Sequence, residues 1–465
     1  MKWHTLLLFT GLIALSPGTS GAQTKTDEQL RQEFVDLRFG MFIHYNIPTY
    51  TPEDWPDPDA SPSIFNPANL HCAQWAKAAK SANMTYGCLT TKHHSGFCLW
   101  DTQTTDYGVM NSPHAKDVVR EYVDAFRKEG LKVMLYYSIL DTHHRLRPGM
   151  IGPDHVRMVK SQIAELLTAY GEITALIIDG WDAPWSRISY DEIPFEDIYL
   201  LVKSLQPHCL VMDLNAAKYP PEALFYTDIK SYEQGAGQHI SKEHNRLPAL
   251  SCYPLQETWF WKERFPHTPV KSPEEMVTKN IVPLNRACCN FILNVAPNRD
   301  GLIDDNALEA LKQIGRLWKN EGPVDRIPPH ERPIISSNMA KGRPAASSWS
   351  YDMHIMDFAC DDRFGTSWLS HPSEKNPWLE ITLSGNDRAF NMAVITEADG
   401  DGSIKKYRLE YFSDNEWKPI LAAENTGRIK IHRFDTVWGS KIRIRIEEFS
   451  GMFGISELGV YNERN

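Results

Sequence analysis

Eight short apolar runs, most of them separated by an amphipathic helical pattern, fill the first two thirds of the chain, and this alternation restricts the fold more than any other feature. The runs are FGMFIHY (39–45), YGCLTTKHH (86–94), KVMLYYSI (132–139), ALIIDGW (175–181), CLVMDLN (209–215), ALFYTDIK (223–230), PALSCYP (248–254) and NFILNVAP (290–297). Between them, AQWAKAAKSA (73–82), DVVREYVDAFRKEG (117–130), HVRMVKSQIAELLTAYG (155–171) and FEDIYLLVKSLQP (195–207) carry apolar residues three and four apart, the period of a helix with one buried face. Gly130 and Gly171 stand where a C-cap glycine belongs. Alternation of this kind predicts a parallel sheet, and eight units predict a (β/α)8 barrel. The interval between residues 215 and 223 is too short for a full helix, so the barrel is expected to be irregular there; a doubly wound open sheet is the alternative fold.

The periodicity changes after the helical stretch ALEALKQIGRLWKNEG (307–322). Proline-rich GPVDRIPPHERP (322–333) reads as a linker, and beyond it short alternating strands such as WLEITL (378–383), YRLEYF (407–412) and SKIRIRIEEF (440–449) predict an all-β sandwich. At the other end, Lys2, the apolar run LLLFTGLIAL (6–15) and Ser20-Gly21-Ala22 have the layout of a secretory signal peptide cleaved near Ala22, with a membrane anchor as the alternative. The expected organisation is a signal peptide over 1–22, a catalytic barrel over 23–325, a linker over 326–333 and a sandwich over 334–465, secreted or periplasmic. No later stretch is apolar enough to span a membrane.

A formal net charge of −10 argues against nucleic acid or an anionic membrane as partner. The eight cysteines include no CxxC pair, and several lie in apolar runs, so buried thiols are expected rather than a disulfide framework.

Catalytic groups of a parallel barrel come from the C-terminal ends of its strands, where the connecting loops converge. His44 ends the first run, His93 and His94 the second, Tyr136 and Tyr137 lie near the end of the third, and Asp179 with Trp181 end the fourth. A strand-end histidine taken singly is commonly structural. Polar and aromatic residues at the same edge of successive strands point instead to a sugar site, where carboxylates act on the glycosidic bond and aromatic faces stack on the ring. A metal hydrolase is the rival. On a regular strand His93 and His94 would face opposite ways, and no HxH replaces them, so the expectation is no metal and no organic cofactor. For Asp179 the structural alternative is a buried acid paired with a lysine such as Lys92.

FGMFIHY (39–45), LTTKHHSGFCLW (89–100), GLKVMLYYSILD (130–141), IIDGW (177–181) and NFILNVAPNRDG (290–301) together resemble the retaining α-L-fucosidases, glycoside hydrolase family 29. The resemblance implies that His44, His93, His94, Trp100, Tyr137 and Trp259 line a fucose pocket and that Asp179 is the nucleophile; Trp181 is added as an aromatic beside it. It also implies terminal fucosyl residues of oligosaccharides or glycoconjugates as substrate. An α-L-galactosidase, a catalytically impaired fucose-binding protein and a metal-dependent sugar enzyme are the alternatives. A retaining glycosidase needs a second carboxylate about 5 Å from the first. Where the family places that glutamate, this chain has Ala249 and Leu250, so Glu233 is the first substitute and Glu257 the second. Asn46 and Ser95 also depart from the family, which has glycine and usually aspartate there. From about Ile334 the chain resembles discoidin-like, coagulation-factor type C domains, through SSNMAKGRPAASS (336–348), DDRFGTSW (361–368) and NPWLEITL (376–383); such a domain is either a carbohydrate-binding module or a structural cap.

Overall fold

Each apolar run places alternate side chains on the two faces of a strand, and where both faces are covered the strands read as nearly continuous hydrophobic segments. The computed structural model describes residues 25–323, 325–398 and 402–464, and the N-terminal run read as a signal peptide lies outside them. Eight parallel strands form one sheet: β1 (Phe39–Ile43), β2 (Tyr86–Lys92), β3 (Lys132–Ser138), β4 (Ala175–Asp179), β5 (Leu210–Asp213), β6 (Lys230–Glu233), β7 (Ala249–Pro254) and β8 (Cys289–Asn294). Their order is β5-β4-β3-β2-β1-β8-β7-β6, so β1 pairs with β8 and the sheet curls into a nearly closed barrel. Helices Cys72–Ser81, Val118–Lys128, Pro153–Ala169, Phe195–Leu205 and Asp305–Leu317 pack outside it. Gly130 and Gly171 have φ of 71° and 69°, the left-handed conformation that ends a helix.

Two layers of core follow from strand alternation. Phe42, Met134, Tyr136, Ile177, Met212, Leu250 and Cys252 meet inside the barrel, while Ile43, Leu135, Tyr137, Ile178 and Val211 face the helices. The ladder stays open between β5 and β6. There Asp228 N–H donates to Val211 O at 2.8 Å, and Val211 N–H donates to the Asp228 carboxylate at 2.9 Å, so the β5 edge is satisfied without a strand partner.

The sixth strand requires a correction. The sequence predicts it over 223–230, yet β6 begins at Lys230. The apolar residues upstream serve a different contact: Phe225 bridges Ile334, Tyr226 N–H donates to Ile334 O at 2.8 Å, and Phe225 and Tyr219 both pack on Phe364. The β5–β6 side of the barrel is therefore the face on which the C-terminal region docks. Trp181, Tyr190 and Tyr226 from the barrel share one continuous core with Met392, Val394 and Tyr461. A helical stretch over residues 273–286, not foreseen, joins β7 to β8; its middle, Met276–Ile281, is π-helical, which spoils the period that would reveal it.

The C-terminal region is a sandwich of antiparallel sheets. One has four strands (Trp368–Leu369, Arg388–Glu397, Ile429–Gly439, Gly454–Tyr461) and the other five (Ala345–Ser347, Trp378–Thr382, Ile404–Ser413, Glu416–Glu424, Lys441–Phe449). Among the described residues no helix is long and apolar enough to cross a membrane. All eight cysteines are free thiols, and all but Cys288 are buried.

Packing inside the barrel leaves no room at Gly40, where an added Cβ would lie 2.2 Å from the Tyr86 ring. That ring is held by its hydroxyl, which donates to Asn290 Oδ1 at 2.7 Å. Gly40→Ala should therefore destabilise the chain by about 1–3 kcal/mol through overpacking, read as a lower denaturation midpoint. An unchanged midpoint would contradict this close approach.

Candidate active site

At the C-terminal ends of the strands lies a pocket of about 230 Å3, lined by Phe42, His44, Asp54, Trp55, His93, His94, Asp179, Trp185, Leu214, Glu233, Trp259 and Phe260. β4 ends at Asp179, one of the residues that alternation turns inward. Its two oxygens are held separately: the Tyr136 hydroxyl donates to Oδ2 at 2.6 Å and Asn215 Nδ2 donates to Oδ1 at 2.9 Å. Lys92 does not pair with Asp179. It is buried against Asp141 at 3.2 Å and lies over the Tyr137 ring, 4.4 Å from its centre, in a separate network behind the pocket.

The three histidines are held neutral. Burial lowers His44 to about 3 and takes His93 well below its ordinary value, with neighbouring histidines adding to the shift; burial also lowers His94, against the pull of Asp179. His44 Nδ1 lies 2.8 Å from Asn294 Oδ1, while the amide nitrogen of Asn294 donates to Trp259 O at 2.7 Å. An amide oxygen can only accept, so Nδ1 carries the His44 proton and Nε2 is left as an acceptor. Ser138 Oγ donates to Leu140 O at 2.8 Å and so accepts from His94 Nδ1 at 2.7 Å, leaving His94 Nε2 facing Asp179 Oδ2 at 3.6 Å. Two acceptors in that position call for a donor between them. His93 Nδ1 is buried with no hydrogen-bond partner. The expectation that His93 and His94 face opposite ways fails, because β2 ends at Lys92 and both follow it in a turn, their rings 4.1 Å apart.

Glu233 ends β6 and enters the same pocket. Burial, then the charge of Asp179, pushes its carboxyl up to about 7, against a 3.1 Å hydrogen bond donated by Trp259 Nε1. Glu257 is not in the pocket: it is exposed and paired with Arg264 at 2.6 Å. Leu250 is buried in the barrel core and registers with Ser231, two residues short of the Glu233–Cys252 pair, so the position counted for the family's glutamate falls below the pocket floor.

Three residues expected at the sugar lie elsewhere. Tyr137 faces the helix layer, donating to Gln162 Oε1 at 2.7 Å, and its neighbour Tyr136 takes the inward place. Trp100 is buried and donates from its indole to Glu165 at 2.8 Å. Trp181 is fully buried, with its indole donating to Ile193 O at 2.8 Å. Its stacking on Tyr190 makes it an anchor of the following loop, and Trp185, farther along that loop, lines the pocket. Asn46 and Ser95 line no part of it; they are buried together, Ser95 Oγ 3.5 Å from Asn46 Oδ1. Sequence reasoning also missed Asp54 and Trp55, which come from the long β1 loop; Asp54 pairs with Lys262 at 2.7 Å and Trp55 stacks on His94. Among the described residues no group of three or more His, Cys, Asp or Glu could hold a metal ion.

Comparison with known proteins agrees with this architecture. Residues 53–323 match the family model described as alpha-L-fucosidase, and residues 344–458 match the F5/8 type C domain. The chain is 28% identical to alpha-L-fucosidase 1 of Arabidopsis thaliana, over 94% of this chain and 87% of that protein. Among solved structures, a glycoside hydrolase 29 family member from an unknown rumen bacterium superposes with a TM-score of 0.52 at 25% identity, covering 95% of this chain and 77% of that one. Alpha-L-fucosidase isoenzyme 1 from Paenibacillus thiaminolyticus shares the fold, with a TM-score of 0.51 at 24% identity over 92% of this chain and 100% of that one.

The neighbours of Glu233 act on it in opposite directions, which makes the geometry testable by titration of labelled glutamate side chains by NMR. Trp259→Phe removes a donor to the carboxylate and should raise the Glu233 pKa above about 7, whereas Asp179→Asn removes a negative charge and should lower it. Shifts of the same sign in both variants would contradict this arrangement. Because the folded carboxyl keeps its proton to a higher pH than the ordinary value of 4.5, this group makes the fold less stable as pH rises from 4.5 to about 7.

Proposed function

The chain belongs to the α-L-fucosidase family of glycoside hydrolases, whose model spans residues 53–323, and on that premise we propose that it removes terminal α-L-fucosyl residues with retention, through a covalent intermediate on Asp179. One observation carries the assignment: two carboxylates in one pocket lie in environments that separate their roles. Asp179 accepts from Tyr136 and Asn215, contacts that aim its two oxygens, while Glu233 is pushed up to about 7 and so retains a proton near neutral pH.

In the first step Asp179 attacks the anomeric carbon as Glu233 protonates the departing oxygen. In the second, Glu233, now ionised, takes a proton from the water that cleaves the ester, and the original state returns. The neutral histidines suit a sugar better than charged ones would, since each can both donate and accept. A fucose hydroxyl between His94 Nε2 and Asp179 Oδ2 would supply the donor those atoms need, and His44 Nε2 offers a further acceptor. Trp259 forms a wall and restrains Glu233 through its indole N–H. The pocket opens on one side and is closed below by the barrel core, which suits the end of a glycan chain. The N-terminal signal-like run supports action in the periplasm or outside the cell, on fucosylated oligosaccharides or glycoconjugates.

Two variants test the scheme. Asp179→Asn should lower turnover by several orders of magnitude with the fold intact, and a variant keeping a tenth of the parent activity would refute the nucleophile. Glu233→Gln should slow cleavage of fucosylated oligosaccharides by roughly 10²–10⁴ and of a nitrophenyl fucoside far less, because a phenolate leaves without a proton. In the parent, oligosaccharide kcat/KM should fall as pH rises through about 7, and the variant should lose that limb. Equal losses on both substrates would mean that Glu233 is not the acid.

A further inference from the structure

Five aromatic side chains line the pocket, and four are engaged by the protein: Phe42 packs on His44, Trp55 stacks on His94, Trp259 packs on His44, and Phe260 meets both His44 and His93 edge-on. Trp185 is the exception. Among the described residues it has no ring partner and makes no side-chain hydrogen bond, and it is 39% exposed at the pocket mouth. An indole left open to water at a working site costs burial that a ligand can restore.

The loop carrying it is held firmly. Asp182 N–H donates to Ile188 O, and Ser186 and Arg187 N–H both donate to Ala183 O, at 2.8 to 3.0 Å. Trp181 pins the base of the loop in the core, and Asp182 pairs with Lys218 in the loop after β5. That pairing draws the loop toward the β5–β6 side of the mouth. Leu214 follows β5, Glu233 ends β6, and both line the pocket there. A general acid must reach the glycosidic oxygen, so the leaving group lies on the Glu233 side of the bound fucose. Trp55, on the β1 loop, is already stacked on His94.

We propose that Trp185 is the platform for the leaving group, a pyranose of the glycan whose apolar C–H face stacks on the indole and whose linkage oxygen is thereby aimed at Glu233. This deepens the α-L-fucosidase reading and rests on it. It makes Trp185 a specificity determinant, acting on what is attached to fucose and not on fucose itself.

The discriminating pair of substrates is a fucosylated oligosaccharide and α-L-fucosyl fluoride, whose leaving group has no ring to stack. Trp185→Ala should lower the ratio of their kcat/KM values by about tenfold, the worth of one ring contact, with the loss appearing chiefly as a raised KM for the oligosaccharide. Trp185→Phe should restore most of it, and inhibition by free fucose should change less than the KM for the oligosaccharide. An unchanged ratio in Trp185→Ala would overturn the proposal, whether both rates are retained or both fall together. A parent protein that turned over neither substrate would defeat the functional reading and this inference with it; one that turned over both while the ratio held would defeat this inference alone.

Discussion

Between β5 and β6 the barrel does not complete its backbone ladder, and much of the molecule is arranged around that opening. Unpaired strand edges are costly when buried. Here Asp228 substitutes for a strand, accepting from Val211 N–H while its own N–H reaches Val211 O, and its charge is met by Lys203 at 3.0 Å and Arg31 at 3.5 Å. Lys230 closes the gap from the other side, its ammonium donating to the carbonyls of Tyr219 and Pro220 at 2.9 Å. The loop held this way turns Phe225 and Tyr226 outward, and they receive Ile334 and Phe364 of the C-terminal region. The sandwich is thus continuous with the core on the open side. Tyr226 stacks on Tyr190 at 3.8 Å, and the Tyr190 hydroxyl donates to Asp213 at the end of β5 at 2.6 Å, so the same contacts run inward to the site.

The electrostatics of the mouth depend on keeping cations away from Asp179. Lys92 is adjacent in sequence to the two pocket histidines, and beside Asp179 it would pair with that carboxylate. Instead the chain leaves β2 after Lys92, which points into the helix layer to meet Asp141 and Tyr137. Both groups remain charged there: Asp141 and Tyr137 hold Lys92 above its usual range despite burial, and Lys92 with His144 holds Asp141 below the usual carboxylate range. Asp179 is left with neutral donors, and the histidines around it are too buried to compete as cations. Glu233 then feels an unneutralised negative neighbour as well as burial, and both favour its protonated form. With Lys92 turned away, the charge of Asp179 adds to burial, the larger cause, in raising the Glu233 pKa.

Much of this was legible in the sequence because strand ends in a barrel are fixed by where apolar runs stop. His44, His93, His94 and Asp179 are at such stops, and all four line the pocket. Aromatic residues were less legible, since they serve the core and the site alike. Tyr136 and Tyr137 differ by one residue on a strand, which reverses the face; counting inward from Met134 and Ile177 selects Tyr136. Trp181 and Trp100 satisfy their indoles inside the protein, whereas Trp55 and Trp185 sit on loops that carry no periodicity to read. The β6 error had a similar origin, because ALFYTDIK has the composition of a strand but spends its apolar side chains on a contact with a distant part of the chain.

If Glu233 serves as the acid proposed above, the barrel has supplied that carboxylate from a different strand. What the reaction requires is an oxygen at a given point above the sugar, not a given strand. β6 and β7 are hydrogen-bonded neighbours, and Glu233 registers with Cys252, so a side chain leaving the end of β6 enters the mouth beside the space a residue from the end of β7 would use. Leu250 lies one inward position deeper than Cys252, among the barrel core, and a glutamate there would bury a charge without reaching the mouth. Trp259, from the loop after β7, reaches back to donate its indole N–H to Glu233. In this chain the loop after β7 contributes the indole donor and β6 the second carboxylate, with Glu233 ending its strand at the level of the pocket.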